Sequence, residues 1–429
     1  MPPVGGFYRP LSEPLLIALK RRSTVILTSI VLGLGFIIWC QRPASQPKAF
    51  VPNRLATVRN HTFDGTWDYK RDRFNFMLNT AQCEQAFPGL FAEIERPKTQ
   101  REKRPITLKE INAIVPRNGY VRAMIINQQL YIIATEGRIY SRELATLHSI
   151  YRAIISSPEP LPDIEFAFNS DDRIDNVALW GYARRPDDTN IWLVPDFGYW
   201  SWPEPKVGTI REVQMKAEWA EEMGGFPWKS KLGKLFWRGA TMNLELREKF
   251  MAASQSESWS DVKSLNWKDK ESIADDLKPM PEHCHYKYLA HTEGNSYSGR
   301  LKYLQSCRSV VVAHKMDWIQ HHYPLMRSSG PEQNYVEVRR DWEDLHEKMQ
   351  WLIDNDLDAE RIAANNMKTF RRRYLTPAAE VCYWRHLIRS WAEVSFEPSF
   401  FKEVGGKKVW RGLPAESFFL ERRMDWDPY

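Results

Sequence analysis

The sequence predicts an α/β protein made of two α/β halves behind one apolar N-terminal segment. Three observations carry that expectation. Ile164–Phe168 (IEFAF) is a short apolar run that stops at Asn169-Ser170-Asp171-Asp172, as a buried strand does. Tyr286–Lys315 reads strand, loop, helix, strand, which is one βαβ unit. Trp342, Leu345, Met349 and Leu352, and then Trp384, Leu387, Ile388 and Trp391, recur at helical spacing and close the second half with amphipathic helices.

From the N-terminus, Ser23–Gln41 holds no charged residue, and at ~1.5 Å per residue it spans about 28 Å, close to the bilayer core. Lys20, Arg21 and Arg22 precede it and Trp39 sits at its far boundary, so 1–22 reads as a cytoplasmic tail and 23–41 as an anchor. A cleaved signal peptide is the rival reading. The stretch exceeds an ordinary signal core and no clean cleavage site follows, which favours a type II membrane protein with its body in the secretory lumen. Residues 42–65, with Pro43, Pro47 and Pro52, form a stem carrying the sequon Asn60-His61-Thr62. Cys40 belongs to the membrane boundary. Cys83, Cys284, Cys307 and Cys382 are enough for two disulfides in that compartment, and their spacing does not match a zinc site.

The first half, 66–210, begins with a helical pattern from Trp67 to Leu78. Val121–Ala134 reads as a hairpin around Asn127-Gln128, and 143–155 as a helix. The Pro-rich stretch Pro203–Arg211 marks the boundary. The second half, 211–395, opens with Lys234–Ala240 (KLFWRGA), a strand breaking into a glycine turn before a helical LELREKFMAA. Its βαβ unit is strand Tyr288–His291, loop Glu293–Tyr297, helix Ser298–Ser306 capped by Ser298, and strand Ser309–Ala313. Residues 396–429 are a C-terminal extension.

Composition excludes two classes. The balance of 60 Lys and Arg against 54 Asp and Glu, net +6, is too dilute for an obligate nucleic-acid binder. With 43% apolar and 27% charged residues the chain is not largely disordered. GxSxG, Walker A and GxGxxG motifs are absent, and His283, His285, His291, His314, His321 and His322 lack metal-ligand spacing.

The loop Glu293–Arg300 is the main chemical candidate. Gly294, Asn295, Ser296 and Ser298 lie where a helix begins, and unpaired N–H groups there favour a phosphate. Arg300 adds a bidentate cation and Arg238 a second one from another strand end. The competing reading is a capped helix with solvent-facing arginines. Asp171 and Asp172 have three readings: a solvated loop, part of a metal site, or a general base facing an attacking hydroxyl. The run Phe197–Glu204 reads as core before cleft wall.

The block HCHYKYLAHTEGNSYSGRLKYLQSCRSVVV, with LPDIEFAFNSDD, KLFWRGAT and AAEVCYWRHLI in order, resembles glycosyltransferase family 90, in particular its fungal membrane-anchored branch. The resemblance implies a GT-B arrangement of two facing Rossmann-like domains, 66–210 for acceptor and base and 211–395 for the nucleotide sugar. It implies inverting transfer of glucose or xylose from a UDP-sugar co-substrate to a glycan, glycolipid or glycoprotein hydroxyl, without a metal or other cofactor. Position by position, Asp172 matches the catalytic aspartate, with Asp171 standing where relatives can carry a basic residue. Arg238 and Arg300 match the diphosphate-contacting arginines, and Gly294, Asn295, Ser296 and Ser298 match the nucleotide loop. The resemblance also implies disulfides Cys284–Cys307 and Cys83–Cys382. The anchor, with no ER-retention tetrapeptide at Asp425–Tyr429, points to the Golgi rather than the ER. A Golgi sulfotransferase and a non-catalytic carbohydrate-binding protein are the rival classes; a comparison of sulfate donor with UDP-sugars separates the first, and UDP affinity the second.

Overall fold

A computed structural model describes residues 63–222, 226–269, 273 and 276–426. The tail, the anchor 23–41, the stem up to residue 62 and the sequon lie outside the described residues. Among the described residues no helix is long and apolar enough to cross a membrane.

The first sheet has the order β13-β2-β1-β3-β4-β5. β1 (Tyr120–Ile126) and β2 (Gln129–Thr135) form the expected hairpin. Asn127 and Gln128 take φ of 50° and 64°, the left-handed pair that matches the twist of a two-residue turn. β3 (Ile164–Asn169) then pairs antiparallel with β1, and only its far side is parallel, to β4 (Trp180–Gly181) and on to β5 (Trp192–Leu193). The strands of the first half therefore make a mixed sheet and not the parallel sheet expected of a Rossmann-like domain, because a two-residue turn can join only antiparallel neighbours. The C-terminal extension supplies the hairpin β11 (Phe401–Val404) and β12 (Lys407–Trp410), and then β13 (Leu413–Pro414), which adds to the edge at β2.

Glu165 sits fully buried in β3 and is neutralised by Arg122 of β1 and by Arg411 of the extension, whose Nη2 lies 2.7 Å from Oε1. The helix Pro377–Glu393 also packs on this half. Trp391 meets Trp192 at 5.2 Å between ring centres and donates through Nε1 to Glu165 O, and the Tyr383 hydroxyl donates to Leu193 O. The disulfide Cys83–Cys382 ties the same helix to Thr80–Ala86, and Cys284–Cys307 is the second disulfide, both as the resemblance implies. Replacing Cys382 by Ser is expected to cost about 2–5 kcal/mol, since the bond closes a very long loop. Chemical denaturation of the two oxidised proteins measures it; equal midpoints contradict it.

The second sheet is all parallel: β6 (Leu232–Gly239), β7 (Ser260–Ser264), β8 (Tyr286–His291), β9 (Val310–His314) and β10 (Val336–Val338), in the order β7-β6-β8-β9-β10. Numbered by chain position this order is 2-1-3-4-5, with a topological switch between β6 and β8, where open parallel sheets keep their ligand crevice. The helix Glu245–Ser254 links β6 to β7. Trp342, expected in a helix, instead sits before Leu345–Asp354 at φ 66°, where its Nε1 donates to Leu246 O.

The helix expected over Ser298–Ser306 is a single turn, Leu301–Leu304, without a side-chain cap. Ser298 is therefore no N-cap, and four residues carry little dipole. Hydrogen bonds from Leu301 N to Ser298 O and from Cys307 N to Leu304 O close successive tight turns on either side. Lys302 is fully buried and its Nζ reaches both Asp196 oxygens at 2.7 and 2.9 Å. A Cβ on Gly198 would lie 2.5 Å from Lys302 Cε, so glycine is what lets the two halves close on that bond. The Phe197–Tyr199 turn is buried, as read.

Candidate active site

The end of β3 turns through side-chain bonds: Asn169 Oδ1 accepts from Asp171 N, and Asp171 Oδ1 from Asp172 N, each at 2.7 Å. Asp171 is thereby left exposed and Asp172 half-buried. Arg142, from the first turn of the helix Ser141–Ile155, donates Nη1 to Asp172 Oδ1 at 2.9 Å while its guanidinium lies over Phe197. Burial works against the Arg142 charge, but Asp172 more than offsets it and raises the arginine's pKa. No hydrogen bond to Asp172 Oδ2 is present among the described residues.

After β8, Glu293 is buried and acts as a bracket. Its Oε1 accepts from Asp317 N and Trp318 N at 2.9 and 2.8 Å, and its Oε2 from Arg340 Nη1 at 2.8 Å. Burial nevertheless pushes its carboxyl up. His314 Nδ1 donates to Lys315 O and Nε2 accepts from Glu293 N, which fixes the neutral tautomer; burial holds this histidine down to about 4. Arg247, from the helix after β6, crosses to Glu293 O at 2.9 Å and to Ala240 O at 2.7 Å. A Cβ on Gly294 would stand 3.2 Å from Arg247 Nη2, so glycine gives that guanidinium its room.

Arg300 lies beside Arg247 at this switch point. Desolvation first, and the Arg247 charge second, hold it down to about 10, still protonated at neutral pH. Its guanidinium packs near the Trp237 ring at 5.9 Å and makes no hydrogen bond or ion pair among the described residues. Nearby His283 is kept neutral, down to about 3, by burial and then by Arg300 and Arg238. Ser296 Oγ is buried without a partner. Two desolvated cations and a buried hydroxyl without a partner are groups that an anion would satisfy.

Arg238 is placed differently from the sequence expectation. Its guanidinium is buried and spent on Asp276 O, Trp237 O, Asp261 O and Asp261 Oδ1. Ser298 contributes its carbonyl to the turn at Leu301. Asn295 offers its carbonyl to Arg173 Nε at 2.6 Å. That bond is decisive for the geometry, because Arg173 directly follows Asp172. Tyr297 closes the same space from the loop side: it is buried against Tyr182, and its hydroxyl is pushed up by burial first and by carboxylates including Asp172. The loop Gly294–Tyr297 is thereby joined to the residue that follows Asp172.

Beside this loop lies a cleft of about 940 Å³, walled by Gly294 and Asn295, by segments after β6, β9 and β10, and by Arg173 and Arg185 from the first half. The sequence reading missed Arg142, Arg247, Arg173 and Tyr297. Tyr297 stood inside the candidate loop; the others are ordinary arginines in helical or loop context, with no local signal. Among the described residues no cluster of His, Cys, Asp and Glu is arranged to hold a metal ion.

These features define an α/β protein with two desolvated arginines at the switch point of a parallel sheet. The sequence model described as glycosyl transferase family 90 matches residues 80–404, and the chain belongs to that family. It is similar to protein O-glucosyltransferase 2 of Danio rerio (28% identity, 54% of this chain and 48% of the relative) and to protein O-glucosyltransferase 1 of Homo sapiens (26%, 54% and 63%). O-glucosyltransferase rumi of Drosophila melanogaster is 24% identical over 67% of this chain and 76% of its own. The chain thus spans between about half and two thirds of the length of the first two.

Proposed function

We propose that this protein is an inverting glycosyltransferase that moves glucose or xylose from a UDP-sugar to a hydroxyl of a glycan or glycoprotein. The observation that carries the reading is Arg300: a desolvated guanidinium beside Arg247, at the switch point, with no ion-pair partner among the described residues. Kinship with enzymes named as protein O-glucosyltransferases supports a sugar donor and a protein-borne acceptor, and family membership speaks against a sulfotransferase.

In this mechanism the donor diphosphate lies against Arg300, Arg247 and the Ser296 hydroxyl. The acceptor hydroxyl gives its proton to Asp172 Oδ2 as its oxygen bonds to C1 from the face opposite the nucleotide. The C1–phosphate bond breaks, its electron pair leaves with UDP, and the fixed cations meet the growing charge. Arg142 holds Asp172 by Oδ1 and aims the free oxygen. Asp171, exposed and engaged by the Asp172 amide, is the weaker candidate for the base. Arg238 serves here by bracing β6 against β7. The contacts Arg173–Asn295 and Lys302–Asp196 hold the halves face to face, in keeping with a GT-B arrangement. Two disulfides fit a lumenal, oxidising site such as the Golgi, with the segment 23–41 as anchor.

Arg300→Ala is expected to weaken UDP binding about 10- to 100-fold, the loss of a hydrogen-bonded charge pair. Calorimetric titration of UDP measures it. Unchanged affinity in a variant that melts like the parent removes Arg300 from the donor site.

A further inference from the structure

The wall of the 940 Å³ cleft carries an imbalance of charge that the donor chemistry does not use. Most of its ionic side chains cancel in pairs. Lys249 bonds Glu245, Arg339 bonds Asp341, and Arg340 bonds Asp317 as well as Glu293. Arg173, Arg185 and Lys315 remain, and none has a carboxylate partner among the described residues. Asp187 is the single unpaired acid of this wall among the described residues.

Two of the three cations lie against one ring, and the third shares the cleft wall with it. Arg185 and Arg173 lie 4.9 and 5.9 Å from the Trp318 ring centre, and Lys315 is three residues before that tryptophan. Trp318 is itself fixed by its backbone bond to Glu293. Arg173 follows the proposed base directly, and neither Arg300 nor Arg247 is in the wall of this cleft, which assigns a ligand seated here to the acceptor rather than to the diphosphate. Cations without a carboxylate partner, in one cleft with a half-buried indole, fit a ligand with both a carboxylate and an apolar C–H face. A hexuronic acid residue has both; a neutral hexose lacks the charge, and an acidic peptide side chain lacks the flat face.

We propose that the acceptor is an acidic glycan, and that Arg173, Arg185 and Lys315 recognise a hexuronic acid residue next to the sugar that is modified. The inference rests on the glycosyltransferase reading and names the substrate class of that same site.

The test uses the intact protein with UDP-glucose or UDP-xylose and a panel of hexuronic-acid-bearing oligosaccharides, each beside its carboxyl-reduced counterpart. The acid forms are expected to have a kcat/KM about tenfold higher or more at low salt, with the advantage shrinking as salt is added. In Arg185→Ala and Lys315→Ala that advantage falls towards unity, through KM. Equal use of both forms, or a preference for acidic peptides, overturns the inference while leaving the transferase reading intact. A parallel fall in UDP affinity in either variant also overturns it, because it moves these cations to the donor. Failure of UDP to bind the parent protein is a different result, and it rejects the transferase reading itself.

Discussion

Asp172→Asn is expected to lower sugar transfer by about 10²- to 10⁴-fold, the usual worth of a positioned general base, and to leave UDP affinity essentially unchanged. The substitution is nearly isosteric. The asparagine carbonyl can still accept from Arg142 Nη1 in the place of Asp172 Oδ1, so the local geometry survives. What disappears is the oxygen able to take a proton. Asp171→Asn is the internal comparison: its carboxylate is exposed and holds only the Asp172 amide, so its loss is expected to be a few-fold at most. Initial rates of UDP release with acceptor present measure both. Near-parental turnover of the Asp172 variant rejects the assignment, and a severe loss confined to the Asp171 variant moves the base by one residue.

The largest stability effect is expected at Glu221, far from the chemistry. This one buried carboxylate neutralises two buried cations: Oε1 accepts from Lys231 Nζ at 2.9 Å and Oε2 from Arg371 Nη1 at 2.7 Å, while Arg308 N also bonds Oε1. Burial alone would raise the Glu221 pKa, but Arg371 and Lys231 overcome it and hold the group below its ordinary value. Glu221→Gln leaves both cations uncompensated and is expected to cost about 3–5 kcal/mol. The sign of the pH dependence follows. A depressed carboxylate contributes stability that is complete above its unfolded pKa of about 4.3 and is lost as pH falls through the folded value. The gap between parent and variant should therefore be flat near neutrality and narrow in acid. A gap that widens in acid contradicts this account.

The second half was far more legible in the sequence than the first. β9 opens on three valines and β6 and β8 each hold a short apolar run, Leu235–Trp237 and Tyr288–Ala290, because both faces of a parallel sheet are covered, and such runs announce themselves. The Asn127-Gln128 turn was equally plain. The pairing of β3 with β1 was not, since an apolar run says nothing about the direction of its neighbour. Leu413-Pro414 carries no strand pattern at all and becomes β13 only because the β2 edge accepts it. The short turn Leu301–Leu304 looked like a longer helix because its apolar spacing is helical; the buried Lys302, committed to Asp196, was the sign that tertiary bonding governs there.

At the site, residue positions were readable and side-chain commitments were not. The WRG turn put Arg238 at a strand end, yet Asp261, 23 residues away on β7, takes its guanidinium. Arg300, read at the start of a helix, was an equally plausible cation, and only the structure separates the arginine held by Asp261 from the one with no ion-pair partner among the described residues. Arg247 and Arg142 sit on helices whose sequences show only periodicity.

The account turns on whether Arg300 and Asp172 face the same bound donor. A crystal structure with UDP tests this most directly. The account predicts diphosphate oxygens within hydrogen-bond distance of the Arg300 guanidinium, about 2.7–3.2 Å, with the Asp172 carboxylate facing the position the sugar would occupy. UDP bound elsewhere, or bound with Asp172 turned away from its phosphate end, contradicts it.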